Sequence, residues 1–249
     1  MRALEAHIGV TLFRRYGPKL ATTDRARALG QRINDALTLM HGAVDDCRRI
    51  KQPLRVTCAP TFAARWLVPR LAAYQSLPGA NAIALDATQS LSPQGSFDIA
   101  IRSGRGPWQG YESVRLLSEL GTPMLSPKWV PTGRRMTAKS LLRVPLIPDS
   151  RWAAWFKLAG VATPKPQFVA ARFPNYELEA LAAAQGIGAA LLSPDLFSQF
   201  IAQGQLVAPF ASAVEGPNSY WLLWVKDCAD AHFLSWMKSQ FGLGPLGKT

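Results

Sequence analysis

Polar side chains follow three strand-like apolar runs of this chain, at the point where each run ends. The runs are residues 54–59, 82–86 and 97–101, and each is rich in Val, Ile, Leu and Ala. In parallel sheets, ligands bind beyond the carboxyl ends of the strands. We therefore expect one crevice that is lined by the residues after these runs: Thr61, Thr88, Arg102 and Ser103.

Two of these residues could recognise a negatively charged group. Arg102 could hold a carboxylate through two parallel hydrogen bonds, or it could form a structural ion pair with Asp98 or Asp86. Thr61 follows Pro60 at a predicted helix start, where free backbone N–H groups favour an anion. Its alternative role is that of an N-cap. An anionic ligand is therefore one expectation.

Further candidate residues lie later in the chain. Asn175 and Tyr176 open a predicted helix, and Tyr220 precedes a strand-like apolar run, where a buried phenol needs a hydrogen-bond partner. The predicted binding residues are Thr61, Phe62, Thr88, Arg102, Ser103, Ser126, Asn175, Tyr176 and Tyr220.

No signature of catalysis, metal binding or cofactor binding occurs in the sequence. There is no G-x-S-x-G, P-loop, H-E-x-x-H or C-x-x-C motif, and Gly104-Arg105-Gly106 continues into Pro-Trp rather than into a helix. The three cysteines are scattered, and Cys47 and Cys58 occupy apolar positions typical of buried thiols. We expect neither an enzyme nor a bound cofactor or metal.

Composition favours a globular protein with a polyanionic partner. Of the 249 residues 48% are apolar, and the net charge is +12. Residues 1–52 hold ten basic and five acidic residues, a disproportionate share of this charge. The sequence has no signal-peptide pattern and no apolar run of membrane-spanning length. We expect a cytoplasmic protein without a membrane partner.

Strand-like runs alternate with helical patterns from residue 53 onward, which predicts an α/β fold with a parallel βαβ unit. A strand at 114–120 leads through 122–126 into a second set of elements, with strands at 144–147, 168–173 and 187–192. A strand at 219–225 and a helix at 231–241 return to the first set. The pattern predicts two lobes, made of residues 53–121 with 208–241 and of residues 122–207, and a flexible tail at 242–249.

Residues 23–50 form one long predicted helix. Thr23 is its expected N-cap, and Leu29, Ile33, Leu37, Met40, Val44 and Cys47 recur at near-heptad spacing. The helix could be an ordinary amphipathic helix or could pair with its own copy in a dimer. With the segment that follows, it forms a predicted linker at 23–52.

Several segments together resemble a known family. Residues 54–57, 62–71 and 97–102, followed by Gly104-Arg105-Gly106 and Trp108, resemble the effector-binding domain of LysR-type transcriptional regulators. The branch they resemble most contains the glycine-cleavage and β-lactamase regulators. The resemblance implies a two-lobed domain of periplasmic-binding-protein type, a small-molecule effector, promoter DNA as partner, and a homodimer or homotetramer.

The same resemblance implies roles for individual residues. In the β-lactamase-regulator branch, a Thr matching Thr61, a hydroxyl residue near Asn175 or Tyr176, and a Tyr matching Tyr220 line the cleft. An Asp of that branch has no counterpart in residues 89–94. A muropeptide and a different small metabolite therefore remain equal alternatives for the effector.

Residues 1–22 resemble the end of the family's winged helix-turn-helix, with the first part of that domain missing from the chain. A short helix is followed by a two-stranded wing with a Gly-Pro turn. Wing residues usually contact phosphates rather than bases, although a solvated basic face is the alternative. The predicted DNA-binding residues are Arg2, Arg14, Arg15 and Lys19.

Overall fold

A computed structural model describes residues 2–16, 19–48, 53–90, 95–133, 135–162, 164–225 and 230–243. The chain divides into two compact units, Met1–Gln52 with Ser92–Phe97 and Pro53–Leu91 with Asp98–Thr249. Within the described ranges, every helix is too short or too polar to cross a membrane. Residues 89–94, 228 and 242–249, which carry some of the predictions above, lie wholly or partly outside these ranges.

The first unit contains two helices and a hairpin. Helix α1 (Arg2–Ile8) leads into the antiparallel strands β1 (Phe13–Tyr16) and β2 (Lys19–Thr22), and helix α2 (Asp24–Arg48) follows. The Glu5 carboxylate accepts the backbone N–H groups of Leu12 and Phe13 at 2.7 and 3.0 Å. This carboxylate therefore ties α1 to the start of the hairpin.

Helix α2 begins at the predicted cap. The Thr23 hydroxyl accepts the N–H of Ala26 at 3.2 Å, which confirms Thr23 as the N-cap. The 25 residues of α2 span roughly 37 Å at 1.5 Å per residue. Three apolar side chains of its predicted seam are largely exposed within the described part of the chain: Ile33, Leu37 and Met40.

The second unit is built on a six-stranded sheet with the order β4-β3-β5-β8-β6-β7. Strand β3 (Leu54–Cys58) lies parallel to both β4 (Ile83–Ala87) and β5 (Ile99–Gly104). This arrangement confirms the predicted parallel βαβ unit. The Cys58 side chain is fully buried, and burial raises the pKa of its thiol, in agreement with the role expected from its apolar position.

Two long strands run through both lobes. Strand β6 (Glu112–Met124) has 13 residues and β8 (Val214–Trp224) has 11, and they are antiparallel to each other. At one end β8 pairs with β5, and at the other end β6 pairs with β7 (Ala190–Leu192). The predicted strand at 114–120 and the crossover after it are therefore one continuous strand.

The helical segment after β3 is interrupted, although the sequence predicts a single helix. It consists of α3 (Pro60–Phe62), a wide turn at Ala63–Leu67, a tight turn at Val68–Arg70 and α4 (Leu71–Gln75). Pro69 has no N–H and cannot extend a regular helix, which explains the change of pitch. The remaining helices are α5 (Ala138–Leu141), α6 (Trp152–Leu158), α7 (Tyr176–Ala184), α8 (Pro194–Ala202) and α9 (Ala231–Gln240).

The strands predicted at 144–147 and 168–173 are wrong as continuous strands. Only isolated bridges form there, from Leu146 to Phe168 and from Leu146 to Ala189. Pro145 and Pro148 flank Leu146 and donate no backbone hydrogen bond, so a ladder cannot extend in either direction. The chain here is extended without being part of a longer strand.

Each lobe has an aromatic core. In lobe I, which contains β3–β5, α3, α4 and α9, Trp236 packs on both Trp66 and Tyr74. In lobe II, which contains α5–α8 and β7, the core is centred on Trp152, Trp155 and Phe156. The indole N–H of Trp152 donates to the Ile147 carbonyl at 2.8 Å, and that of Trp155 donates to the Ser212 carbonyl at 3.0 Å.

The Gly104-Arg105-Gly106 loop is explained by packing against indoles. A Cβ atom at Gly104 would lie 2.6 Å from Trp108, and one at Gly106 would lie 2.5 Å from Trp221. Gly106 also has a φ of +47°. These glycines therefore allow the loop to approach two tryptophan side chains.

Candidate functional site

A cavity of about 350 Å³ lies between the lobes of the second unit. Lobe I contributes the segment after β3 and the end of β5, and lobe II contributes the segment before α6 and the start of α7. The long strands β6 and β8 form its floor. The lining residues are Ala59, Pro60, Thr61, Gln89, Ser103, Glu119, Asp149, Ser150, Arg151, Phe173, Pro174, Asn175, Tyr176, Glu179, Pro217, Asn218 and Tyr220.

Five of the nine predicted binding residues line this cavity: Thr61, Ser103, Asn175, Tyr176 and Tyr220. Thr61 is the second residue of α3, whose N-cap is Ala59, so Thr61 is not the cap that the sequence allowed as its alternative role. Helix α3 has only three residues, too few to offer an anion a helix dipole. The Asn175 side chain caps α7 by accepting the N–H of Leu178 at 3.0 Å.

Arg102 does not line the cavity. Its guanidinium is buried in lobe I, donates to the Thr57 hydroxyl, and donates to the Thr88 carbonyl at 3.2 Å. The suggested ion pair with Asp98 is absent, because Asp98 pairs with Arg55 at 3.0 Å. Burial lowers the pKa of Arg102. Arg102 therefore connects β5 to the chain after β4 instead of facing a ligand.

Three other predicted residues also lie outside the lining. Phe62 is fully buried and stacks on Trp66 at 5.1 Å between ring centroids. Thr88 uses its backbone carbonyl to accept Arg102. The Ser126 carbonyl accepts the N–H of Trp129 at 3.1 Å.

Four charged residues that line the cavity were missed by the sequence analysis: Glu119, Asp149, Arg151 and Glu179. Arg151 and Asp149 form a buried pair in which Nε lies 3.0 and 3.1 Å from the two carboxylate oxygens, and a terminal nitrogen lies 2.6 Å from Oδ2. Arg151 also donates to the Leu191 carbonyl at 3.1 Å. Burial lowers the pKa of Arg151, but the contacts with Asp149 outweigh burial and raise it overall, so the guanidinium stays charged.

Glu179 lies on the buried face of α7 and is 8% exposed. Its Oε2 atom has no hydrogen-bond partner among the described residues. Burial, followed by the nearby charge of Asp149, raises the pKa of Glu179 to about 8, with Arg151 acting in the opposite direction and Glu119 adding to the rise. Near neutral pH this carboxyl group therefore holds a proton for much of the time.

Two phenols complete the polar lining. Burial raises the pKa of Tyr176 and of Tyr220, so both remain neutral donors. The Tyr176 ring lies under the Arg151 guanidinium, 5.3 Å from its carbon atom. Among the described residues, no group of His, Cys, Asp and Glu could hold a metal ion. The arrangement can bind a polar molecule through hydroxyl groups, carboxylates and aromatic rings.

The missed residues carried a weak signal in the sequence. Glu179 follows Tyr176 by three positions and precedes Ala183 by four, so all three share one face of a predicted helix. A carboxylate on an otherwise apolar helix face is an unusual core residue. Asp149 and Arg151 are two positions apart in a loop, and only the tertiary structure orients both side chains inward.

Two contacts join the lobes beside the cavity. Arg65, in the wide turn after α3, forms a two-pronged ion pair with Glu177 of α7 and lies over the Phe200 ring at 4.4 Å. Gln89 donates from its side chain to the Pro174 carbonyl at 2.8 Å. These contacts hold the start of α7 against lobe I.

The first unit has a separate polar groove of about 680 Å³ between the wing and the start of α2, lined by residues that include Arg14, Arg25 and Arg27. Arg14 and Arg15 are both exposed on β1. Because successive strand residues point to opposite faces, these two side chains extend in different directions. The side chains of Arg2 and Lys19 lie outside the part of the chain that the structure describes.

Comparison with known proteins identifies similar chains. Residues 48–241 match the family model of the LysR substrate binding domain. The HTH-type transcriptional activator AmpR of Rhodobacter capsulatus is 32% identical over 248 residues, which cover 95% of this chain and 84% of that protein. The glycine cleavage system transcriptional activator of Escherichia coli strain K12 is 28% identical, with coverage of 90% and 75%.

A solved structure is also similar to this chain. The effector domain of the transcriptional regulator AmpR of Pseudomonas aeruginosa superimposes with a TM-score of 0.66 and 26% identity, covering 77% of this chain and 96% of that one. The second unit thus has the two-lobed, periplasmic-binding-protein-like fold expected from the sequence.

Proposed function

The chain belongs to the family of LysR-type transcriptional regulators, and from this membership we propose that its cavity binds a small effector that alters promoter binding. The relatives are named as transcriptional activators rather than as enzymes. The observation that carries the proposal is the polar cavity itself, because both lobes and both connecting strands contribute side chains to it. A ligand there can favour one arrangement of the lobes through differential affinity.

We propose that two sets of residues contact the effector: the five predicted binding residues that line the cavity, and the four charged lining residues. Thr61 and Ser103 offer groups from lobe I, Asn175 and Tyr176 from lobe II, and Tyr220 from β8. The charged residues are Glu119, Asp149, Arg151 and Glu179. Arg102 is assigned a supporting role, because its hydrogen bonds are made within lobe I.

Thermal unfolding in the presence of a small-molecule cell extract tests the binding proposal. The double variant Thr61→Val/Tyr220→Phe removes two hydroxyl groups while nearly preserving side-chain volume. We expect the extract to raise the melting temperature of the wild type and to have little effect on this variant. Tyr74→Phe is the matched control, since the Tyr74 hydroxyl accepts the Asn81 N–H outside the cavity.

The opposite result would argue against the cavity as the effector site. If the double variant and the Tyr74→Phe control respond to the extract as the wild type does, the stabilising molecule binds elsewhere. If no extract changes the melting temperature of the wild type, the proposed effector function is contradicted.

We further propose that the first unit contacts DNA through Arg14 and Arg15 and that α2 pairs with its copy in a homodimer or homotetramer. The exposed arginines on β1 and the exposed apolar seam of α2 support this assignment. Binding to promoter DNA in turn implies a cytoplasmic location. The expectation of an anionic effector rested on Arg102, which does not line the cavity, and on a helix start at Thr61, where α3 has only three residues.

A further inference from the structure

The charges that line the cavity do not balance. Three acidic side chains, those of Glu119, Asp149 and Glu179, stand against the single guanidinium of Arg151 among the described lining residues, although Glu179 is protonated for much of the time near neutral pH. That guanidinium is engaged with Asp149 through Nε and one terminal nitrogen, while its Nη1 atom has no hydrogen-bond partner among the described residues. Two carboxyl groups on different elements, Glu119 on β6 and Glu179 on α7, therefore have no cationic partner of their own in the lining.

One of these carboxyl groups has an incomplete set of hydrogen bonds. Glu179 is more than nine-tenths buried and lines the cavity, and its Oε2 atom has no partner among the described residues. Leaving a buried polar atom unpaired is costly, and in the wall of a cavity a bound molecule can supply the missing partner. The missing partner of a carboxylate oxygen is a hydrogen-bond donor.

Aromatic rings stand beside the carboxyl groups. Phe173, Tyr176 and Tyr220 line the same cavity. Carboxylates together with aromatic faces are the surroundings that proteins use to recognise ammonium and guanidinium groups. The acidic lining of the cavity does not reflect the charge of the whole protein, because the net charge is +12 and attracts anions.

We propose that the effector of this protein carries a positively charged nitrogen, an ammonium or guanidinium group, that is held between Glu119 and Glu179. This inference rests on the proposed function of the cavity and specifies the chemical class of its ligand. The cation donates a hydrogen bond to the free oxygen of Glu179 and offsets part of the negative charge of the two carboxyl groups. A neutral hydroxyl group could donate to that oxygen but would leave the carboxyl charge without compensation, and an anionic ligand would add a like charge.

Ligand binding is coupled to a proton in this arrangement. Groups on several elements face Glu179: Asp149 and Arg151 before α6, Glu119 on β6, Tyr176 on α7 and Tyr220 on β8. An arriving cation favours the ionised form of Glu179, so below about pH 8 binding releases a proton. Affinity for the cation therefore rises with pH up to that value.

A matched set of four-carbon probes tests the proposal on the full chain. The probes are 1,4-diaminobutane, 1,4-butanediol and succinate, which share a backbone and differ in terminal charge. We expect millimolar diaminobutane to raise the melting temperature, and the other two to have little effect. Calorimetry in two buffers of different ionisation enthalpy should show proton release on binding of the diamine.

Two variants locate the effect. Glu179→Gln should weaken diamine binding by about tenfold or more, since it removes one charge-assisted contact in a buried site. Glu215→Gln removes an exposed carboxylate of β8 that does not line the cavity, and it should bind the diamine as the wild type does.

Three outcomes would overturn the proposal. Equal or stronger binding of succinate or butanediol, lost in the Thr61→Val/Tyr220→Phe variant, would refute charge selection while supporting an effector cavity. Diamine binding that is unchanged in Glu179→Gln would place the cation elsewhere. If none of the three probes binds, the cation site is refuted, and the cell-extract experiment then decides the proposed function separately.

Discussion

Glu179 is a buried carboxyl group in the neighbourhood of two other acidic side chains. It lies on an otherwise apolar helix face and near Asp149 and Glu119, so ionising it places a third negative charge in a small volume. A helix such as α7 could be stable with an apolar residue at this position. The cost of a buried carboxyl group is consistent with a role in binding rather than in folding.

This environment predicts a pH-dependent difference in stability. The folded-state pKa of about 8 lies above that of an unfolded Glu, so the folded protein keeps a proton that the unfolded chain has lost. The free energy of unfolding should therefore fall as pH rises through this range. Relative to Glu179→Gln, the wild type should lose on the order of 3 kcal/mol between about pH 5 and about pH 9.

Urea unfolding at several pH values measures this difference. Glu215→Gln serves as the control, because it changes an exposed carboxylate, and its difference from the wild type should stay nearly constant with pH. If the difference in unfolding free energy between the wild type and Glu179→Gln is also independent of pH, Glu179 is ionised throughout this pH range.

The Arg151–Asp149 pair predicts a second effect at the same scale. Asp149→Asn leaves a buried guanidinium without its charged partner, and we expect a loss of roughly 3 kcal/mol in the free energy of unfolding. The double variant Asp149→Leu/Arg151→Met removes both charges and should recover part of that loss. If the single and double variants were equally destabilised, the cost would come from packing rather than from the unpaired charge.

At the scale of secondary-structure elements, α7 connects the lobes. In its first turn, Tyr176 lines the cavity and Glu177 pairs with Arg65 of lobe I. The N-cap Asn175 follows Pro174, whose carbonyl accepts a hydrogen bond from Gln89 of lobe I. A ligand that contacts Tyr176 and Glu179 therefore acts on the same helix that the ion pair holds in place. Rearrangement of the lobes requires the ion pair between Arg65 and Glu177 to change.

Breaking this ion pair should loosen α7. Glu177→Gln leaves Arg65 half-buried over Phe200 without a carboxylate, so we expect a loss of about 1–2 kcal/mol in the free energy of unfolding. Hydrogen exchange in α7 should become faster, which is the more direct measurement. Protection in α7 equal to that of the wild type would show that the pair does not hold the helix.

Helix α2 presents an apolar seam that a partner helix could cover. Leu37→Glu places a charge at the centre of this seam, and we expect dissociation of a dimer, measured by sedimentation. Ala28→Glu introduces the same residue at an exposed position on the other side of α2 and should leave the association unchanged. Equal behaviour of the two variants would assign dimerisation to another surface.

At the scale of the whole molecule, the protein combines a basic first unit with an acidic cavity in the second. The net charge of +12 suits attraction to DNA, while the three acidic side chains of the cavity create a local field of the opposite sign. Two ligands of opposite charge can therefore bind one chain without competing for the same residues. This separation is what a regulator that links an effector to a promoter requires.

Fluorescence anisotropy on duplex DNA from upstream of its own gene tests the DNA assignment. The variant Arg14→Ala/Arg15→Ala should weaken binding and reduce the slope of log affinity against log salt by about 0.9 for each lost phosphate contact. Arg135→Ala removes an exposed arginine of the second unit and should leave this slope unchanged. Unaltered affinity in the double variant would exclude a wing contact.

Local patterns in the sequence determined much of this protein. The order of apolar runs and helical periodicities was enough to predict the parallel arrangement of β3, β4 and β5, and the Thr23 cap and the start of α7 could be identified from single residues. These features depend on contacts between residues close in the chain or on strand patterns of period two. The family resemblance rested on the same segments.

Only the tertiary structure decided which polar residues face the cavity. Arg102 and Glu179 both occupy apolar segments, yet one turns into lobe I to bind Thr57 and Thr88, while the other lines the cavity. The direction depends on neighbours that are 14 to 45 residues away for Arg102, and on β6, β8 and the segment before α6 for Glu179. No pattern within one segment contains that information, because the field and the hydrogen-bond partners of a buried group are set by the elements packed against it.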